Sequence, residues 1–203
     1  MKIICIGRNY IAHAKELNNP VPVQPVFFMK PDTALLPPHN PFFYPAFSKD
    51  IHYEAELVIK INKNGRHIAE KFAHKYYDEI SVGIDFTARD LQASCKQKGL
   101  PWEIAKAFDF SAPVGNFLDI NAFENKQNIP FSLKINQEIR QEGNSKNMIF
   151  SFDQIIAYVS QFVTLRSGDL IFTGTPEGVG PTQIEDHFEV FVGTEKLLEF
   201  NVK

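Results

Sequence analysis

Three carboxylates stand where an ionised group has no structural reason to be. Glu54 and Glu56 fall in the alternating run His52-Tyr53-Glu54-Ala55-Glu56-Leu57-Val58-Ile59-Lys60-Ile61, and Asp85 closes Ile80-Ser81-Val82-Gly83-Ile84-Asp85-Phe86. Successive side chains of a strand alternate between faces, which puts Glu54 and Glu56 on one face, about 6.6 Å apart. Like charges that close raise each other's pKa unless something positive lies between them. A hard divalent cation, Mg²⁺ or Mn²⁺, resolves the conflict, since all-oxygen ligation suits both ions. An isolated Glu-x-Glu is more often the solvated face of an amphipathic sheet. Here Leu57, Val58 and Ile59 make the stretch apolar on both faces, and Val82, Ile84 and Phe86 flank Asp85. These acids therefore read as buried, and a buried carboxylate needs a cation or several donors.

Other residue types add to the chemistry, each with a bland reading beside the functional one. His13 and Glu16, three apart on a short helix, share a face. A Glu that orients an imidazole and raises its basicity makes a dyad able to take a proton from water; the alternative is an incidental surface pair. Gly7 before this helix and Asn18-Asn19-Pro20 after it would let it move as a lid. His52, preceding the glutamates at strand spacing, is expected to pack or face solvent, because Mg²⁺ disfavours nitrogen. Lys106, among Trp102, Ile104, Ala105 and Phe108, either snorkels its head to water or holds developing negative charge on oxygen. Lys30, at the end of Val26-Phe27-Phe28-Met29, poses the same choice. The turn Thr173-Gly174-Thr175-Pro176-Glu177-Gly178-Val179-Gly180 lacks the Gly-Lys-Ser/Thr ending of a phosphate loop. Its hydroxyls and free N–H groups suit a carboxylate, or simply a structural turn.

The elements that must position these groups are mostly strands. Ile3–Ile6 is a short buried strand, Val21–Lys30 an extended stretch that Pro22 and Pro25 confine to an edge or a non-regular path, and 54–62 and 80–86 are the strands that carry the acids. Further strands are expected at 130–136, 138–142, 168–173, 187–192 and 196–202. Helices are expected from Asn9 to Leu17, near 67–77, from a capping-box-like start at Thr87 to Gly99, and from Ser151. The last has an apolar stripe of Phe152, Ile155, Ile156, Val159, Phe162 and Val163. Residues 31–50, with five prolines, read as a long ordered loop. Strands outnumber helices and do not alternate with them, which favours a β-roll with a few helices over a doubly wound fold. With 203 residues, no repeat and no Gly/Ser linker, one domain over 1–203 is expected. The net charge of -3 without a Lys/Arg block makes nucleic acid a poor partner. No apolar run reaches a membrane span, the N-terminal apolar tract is brief for a signal peptide, and Cys5 and Cys95 read as buried thiols, so a cytoplasmic protein is expected.

Taken together, the segments resemble the fumarylacetoacetate hydrolase superfamily. The resemblance rests on Gly7-Arg8-Asn9-Tyr10, Glu54-Ala55-Glu56-Leu57, Asp85-Phe86-Thr87-Ala88-Arg89-Asp90, Lys98-Gly99-Leu100-Pro101-Trp102, Gln141-Glu142-Gly143-Asn144, Met148-Ile149-Phe150 and the Thr-Gly-Thr-Pro turn, in that order. It is closest to the short acylpyruvate hydrolase and oxaloacetate decarboxylase branch. It implies a mainly β, α+β fold, a mixed β-sandwich roll with short helices, and a homodimer. It implies that Glu54, Glu56 and Asp85 bind Mg²⁺ or Mn²⁺, that His13, Glu16 and Lys106 are catalytic, and that Arg8, Lys30, Gln92 and Thr175 line a small 2-oxo acid. The activity implied is cleavage of 2,4-dioxo acids to pyruvate and a carboxylic acid, with oxaloacetate decarboxylation at the same site. Isomerisation of a 2-hydroxyhepta-2,4-diene-1,7-dioate-type diacid and a non-catalytic metal and small-acid binder are the rivals. The chain departs from the family pattern at Ser145, usually Thr, and at Asn136-Gln137, where Asn-Gly is usual and the turn type is left open.

Overall fold

The apolar runs that read as buried strands find one another in a sheet. The computed structural model describes residues 1–16 and 20–203, and the described residues form thirteen strands. In chain order these are β1 (Ile3–Gly7), β2 (Val26–Lys30), β3 (Ile51–Tyr53), β4 (Ala55–Ile61), β5 (Tyr77–Ile84), β6 (Thr87–Ala88) and β7 (Leu118–Asp119). There follow β8 (Pro130–Ile135), β9 (Glu138–Asn144), β10 (Leu170–Phe172), β11 (Gly180–Pro181), β12 (His187–Val192) and β13 (Glu195–Asn201). Five short helices accompany them: α1 (Ile11–Glu16), α2 (Glu70–Ala73), α3 (Arg89–Lys98), α4 (Glu103–Lys106) and α5 (Phe152–Phe162).

The largest sheet has the order β2-β1-β10-β4-β5-β7. Only β1 and β10 pair in parallel, with Ile4 opposite Ile171. β4 lies inside this sheet between β10 and β5, which is why Leu57, Val58 and Ile59 are all fully buried. β2 is an edge, and the stretch with Pro22 and Pro25 before it is irregular, so both expected alternatives occur in turn. A second sheet, β13-β12-β8-β9, faces the first, and a ribbon β11-β3-β6 links them. Aromatic rings fill the space between: Phe42 stacks on Phe86 at 4.0 Å, Phe188 on Phe200 at 4.9 Å, and Phe86 meets Phe188 edge-on at 5.8 Å. Such pairs add about 0.5–1.5 kcal/mol each beyond the area they bury.

The expected β-roll with few helices is what forms, with local differences. The helix expected near 67–77 shrinks to α2, because β5 begins at Tyr77. α3 begins at Ala88 without a side-chain cap; the Thr87 hydroxyl instead donates to the carbonyl of Asp85 at 3.3 Å. It does end at Gly99, whose φ of 65° is left-handed. α5 has the full Ser151/Gln154 capping box, but Phe162 falls off the buried stripe and is 56% exposed. Asn136 and Gln137 have φ of 53° and 70°, so the two-residue hairpin is the primed kind despite lacking glycine. Asn9 does not cap α1. Its amide donates to the carbonyls of Phe150 and Thr173, at 3.0 and 2.7 Å, and its Oδ1 accepts from the N–H of Phe150 at 2.8 Å. The expected helix end at Leu17 and the stop at Asn18-Asn19 lie outside the described residues. Cys5 and Cys95 are buried free thiols, and no described helix is long and apolar enough to cross a membrane.

Candidate metal centre and active site

Two of the three acids sit not inside strands but at the breaks between them. Glu54 is the single residue separating β3 from β4, and Asp85 follows β5 just before β6. At both points the chain leaves the large sheet for the linking ribbon, and the Asp85 N–H donates to the Glu54 carbonyl at 2.8 Å. The break aims both carboxylates into the sheet junction, where Glu56 of β4 joins them. Ala55, between the glutamates, is fixed from both sides. Its N–H donates to Gln141 Oε1 at 2.9 Å, and its carbonyl accepts from the Thr175 hydroxyl at 2.8 Å. Glu54, Glu56 and Asp85 each offer a carboxylate oxygen, and these atoms lie within 4.8 Å of one another.

All three acids are buried, so their charge must be answered within the protein. Lys106 Nζ bridges Glu54 Oε2 and Asp85 Oδ2, at 2.9 and 2.8 Å, and Arg89 donates to Glu54 Oε1 at 2.7 Å. Burial pushes Glu54 up, but Lys106, Arg89 and His13 together hold it below the usual carboxylate range. Burial likewise pulls the Lys106 ammonium down, and Asp85 and Glu54 outweigh it, so Lys106 stays charged. Glu56 has no such cation. Burial, then Asp85 and Glu54, push its carboxyl well above the ordinary range, and the Gly174 N–H, donating to Oε2 at 2.6 Å, offsets only part of this. Lys30 Nζ lies 2.9 Å from Asp85 Oδ1, and the carbonyls of Phe86, Lys106 and Ser111 and the Ser111 hydroxyl share its ammonium. Asp85 Oδ1 is left without an aligned hydrogen bond. A Glu56 carboxyl pushed up by burial and two neighbouring acids, in an all-oxygen set, fits a hard divalent cation.

His13 Nδ1 lies 3.2 Å from Glu16 Oε2, so the dyad forms on α1. Glu16 Oε1 accepts from the Gly178 N–H at 3.1 Å, docking the helix on the Gly-rich turn. Gln141 Nε2 braces that turn by donating to the Thr175 hydroxyl and the Pro176 carbonyl, at 2.9 and 3.1 Å. The cleft so closed is small, about 50 Å³, and is lined by the three acids, His13, Arg8, Arg89, Gln92, Lys96, Lys106, Thr175 and the apolar Val26, Phe28 and Trp102. A groove of about 1150 Å³ elsewhere is wider, but none of its charged lining residues is buried.

The structure thus brings together Glu54, Glu56, Asp85, His13, Glu16, Lys106, Arg8, Gln92 and Thr175. Lys30 is the exception among the expected substrate contacts. It is 2% exposed, sits behind Asp85 and Lys106, and does not line the cleft. His52 stays outside, paired with Asp50 at 2.9 Å. The partners of Arg89, Gln141 and Asn9 were not foreseen, because they are distant in the chain, whereas the Gly-rich turn does grip a carboxylate, that of Glu56, through the Gly174 N–H.

The sequence profile described as "Fumarylacetoacetate (FAA) hydrolase C-terminal" matches residues 2–203. The oxaloacetate tautomerase FAHD1, mitochondrial, of Mus musculus is 43% identical over 201 residues, 99% of this chain and 91% of that protein. The oxaloacetate tautomerase YcgM of Escherichia coli is 42% identical over 190 residues, covering 93% and 87% respectively. Among solved structures, fumarylpyruvate hydrolase from Pseudomonas aeruginosa in complex with Mn²⁺ and pyruvate superposes with a TM-score of 0.92 at 37% identity, covering 100% of this chain and 89% of that one. On this evidence the chain belongs to the fumarylacetoacetate hydrolase family.

Proposed function

We propose that this cleft moves a proton at the carbon beside the keto group of a 2-oxo acid, with keto–enol tautomerisation of oxaloacetate as its activity. The carrying observation is the His13–Glu16 dyad docked over the three-acid nest, a positioned base facing a site for a cation. A Mg²⁺ or Mn²⁺ ion held by Glu54, Glu56 and Asp85 would act as a Lewis acid on the carboxylate and keto oxygens of the substrate. His13 removes the C3 proton and returns it to oxygen, while Glu16 fixes the ring and supports its positive charge. Lys106, buried and held charged, steadies negative charge on the keto oxygen. Gln92 and Thr175 orient the head group. The docked lid keeps water away from the exchanging proton.

Hydrolysis of acylpyruvates is the second reading, supported by the same dyad and by the fumarylpyruvate hydrolase neighbour. With a 2,4-dioxo acid, His13 instead takes a proton from water, hydroxide adds at C4, the C3–C4 bond breaks, and the proton held by His13 passes to C3, giving pyruvate and a carboxylic acid. A homodimer belongs to this proposal as well. The test follows the enol absorbance of oxaloacetate and pyruvate release from acetylpyruvate, with Mg²⁺, with Mn²⁺ and with a chelator. Ion-dependent acceleration of enol decay supports the first reading and cleaved acetylpyruvate the second. No ion-dependent change in either substrate would refute both.

A further inference from the structure

α3 turns one face to the cleft. Arg89, Gln92 and Lys96, at i, i+3 and i+7, line it, while Cys95 packs into the core. Of the cations that line the cleft, two are committed. Arg89 donates to Gln92 Oε1 and Glu54 Oε1, and Lys106 bridges Glu54 and Asp85. Arg8 and Lys96 form no ion pair among the described residues. Both are placed with care. Arg8 follows β1 with a φ of 61°, a left-handed conformation that a non-glycine residue keeps only where its surroundings impose it. The adjoining Asn9 is anchored by three hydrogen bonds. Lys96 lies over the Trp102 ring, Nζ 5.4 Å from its centroid, so its stem is held against the mouth. Partial burial, then Arg89 and Arg8, lower its pKa, and Glu54 offsets only part of this.

From these observations we infer that Arg8 and Lys96 form a subsite for a second carboxylate, so that the cleft selects 2-oxo dicarboxylic acids over 2-oxo acids with an uncharged tail. The inference rests on the 2-oxo acid reading above. The acids and Lys106 take the 2-oxo acid head at the floor, and the unpaired cations take the far carboxylate at the mouth. The apolar wall of Val26, Phe28 and Trp102 lies on the same cleft and would serve an uncharged acyl tail, which makes the alternative concrete.

Lys96→Met keeps the stem on Trp102 and removes the charge; Arg8→Asn removes the guanidinium while tolerating positive φ. The measurement is the ratio of kcat/KM for oxaloacetate to that for acetylpyruvate, which lacks the distal carboxylate. Each variant should lower this ratio about ten-fold or more, through KM, because a charged hydrogen bond to the substrate is lost. Lys96→Arg should restore it. An equal loss on both substrates, or no loss on oxaloacetate, overturns the subsite. Calorimetry on the Mg²⁺-loaded protein separates this from the wider reading. The probes are 2-oxoglutarate and 2-oxopentanoate, five-carbon acids differing only in the distal carboxylate. If the wild type turns over neither substrate, the enzymatic reading fails. A preference for 2-oxoglutarate that Lys96→Met abolishes still upholds the subsite, and equal affinities refute it.

Discussion

Among the described residues, two places bring three metal-ligating side chains within 4.8 Å of one another, and they answer their charge differently. Glu54, Glu56 and Asp85 meet in the buried sheet junction. His187 and Glu189 of β12 meet Glu199 of β13 on a partly exposed sheet face, with Glu189 directly opposite Glu199. On that face Lys196 Nζ lies 2.9 Å from Glu189 and 2.7 Å from Glu199, and His187 spans Glu199 and Asn201 at 3.2 and 2.8 Å. Water reaches what these partners leave. In the junction the three acids are almost wholly buried, and the protein gives Glu56 one N–H and no bonded cation. Ligand proximity is common; unanswered charge away from water is not. That difference, rather than the number of acids, marks the candidate centre.

Glu56→Gln tests the difference most severely. A carboxyl whose folded pKa is raised contributes stability in acid that is lost as pH climbs through the folded value. Without a divalent ion, the wild type should therefore lose stability with pH from about the ordinary carboxylate value of 4.5 upward, and Glu56→Gln should flatten that decline and melt higher at pH 8. With Mg²⁺ the order reverses, since an ion at 100 times its Kd stabilises the wild type by about 2.7 kcal/mol. The variant should lose most of that gain and, with a ligand gone, turnover by about a thousand-fold. Calorimetric scans with chelator and then Mg²⁺ read both effects, and identical responses of the two proteins would dissolve the contrast.

Lys106→Met comes next. It strips Glu54 and Asp85 of the cation that bridges them, while Arg89 stays on Glu54 and Lys30 beside Asp85, so the loss should be at most about 3–5 kcal/mol, the cost typical of a broken buried pair. Urea unfolding in chelator should show that loss and Mg²⁺ should recover part of it, while turnover stays down about 10²–10³-fold for want of charge at the reacting oxygen. Full recovery of turnover with Mg²⁺ would make Lys106 a counter-ion only.

How much of this was readable beforehand follows physical range. Burial of the acids was legible, because Leu57-Val58-Ile59 and Ile84-Phe86 are local statements about a strand. The dyad was legible from one helical spacing, and α5 from its capping box. What the alternating pattern hid was that Glu54 and Asp85 occupy the breaks between sheets. That is decided by the hydrogen bond between them and by Gln141, 86 positions from Ala55. Lys30 reads locally as an amphipathic edge residue; only the fold reveals that carbonyls from three distant residues surround its ammonium. Asn9 misled for the same reason: a residue that looks like a helix cap is claimed by Phe150 and Thr173.

The dyad lies between the two extremes of the comparison, buried at His13 and open at Glu16. His13→Asn should lower tautomerisation and acylpyruvate hydrolysis by about 10²–10⁴-fold, the span of general acid–base catalysis. Decarboxylation of oxaloacetate needs no attacking water and should fall less. Glu16→Gln should give a smaller loss, because it keeps a group able to accept from Gly178. Neither should shift the melting midpoint as Lys106→Met does. Equal losses in all three reactions would move the dyad from proton transfer to lid closure alone.

Glu199→Gln is the mildest change and completes the contrast. Its carboxyl is held below the ordinary range first by the hydrogen bond from Lys196, with a smaller share from His187. A depressed folded pKa contributes stability above the unfolded value and loses it as pH falls through the folded one, so any penalty from the variant should be full above about pH 4.5 and fade below it. Half the side chain is open to solvent, and water replaces what Lys196 gave. The penalty should therefore vanish in 1 M salt, where screening acts within about 3 Å. Mg²⁺ should stabilise this variant as much as the wild type. A Mg²⁺ response diminished by Glu199→Gln would mean that an exposed, lysine-bridged cluster also holds an ion, and burial would no longer separate the two regions.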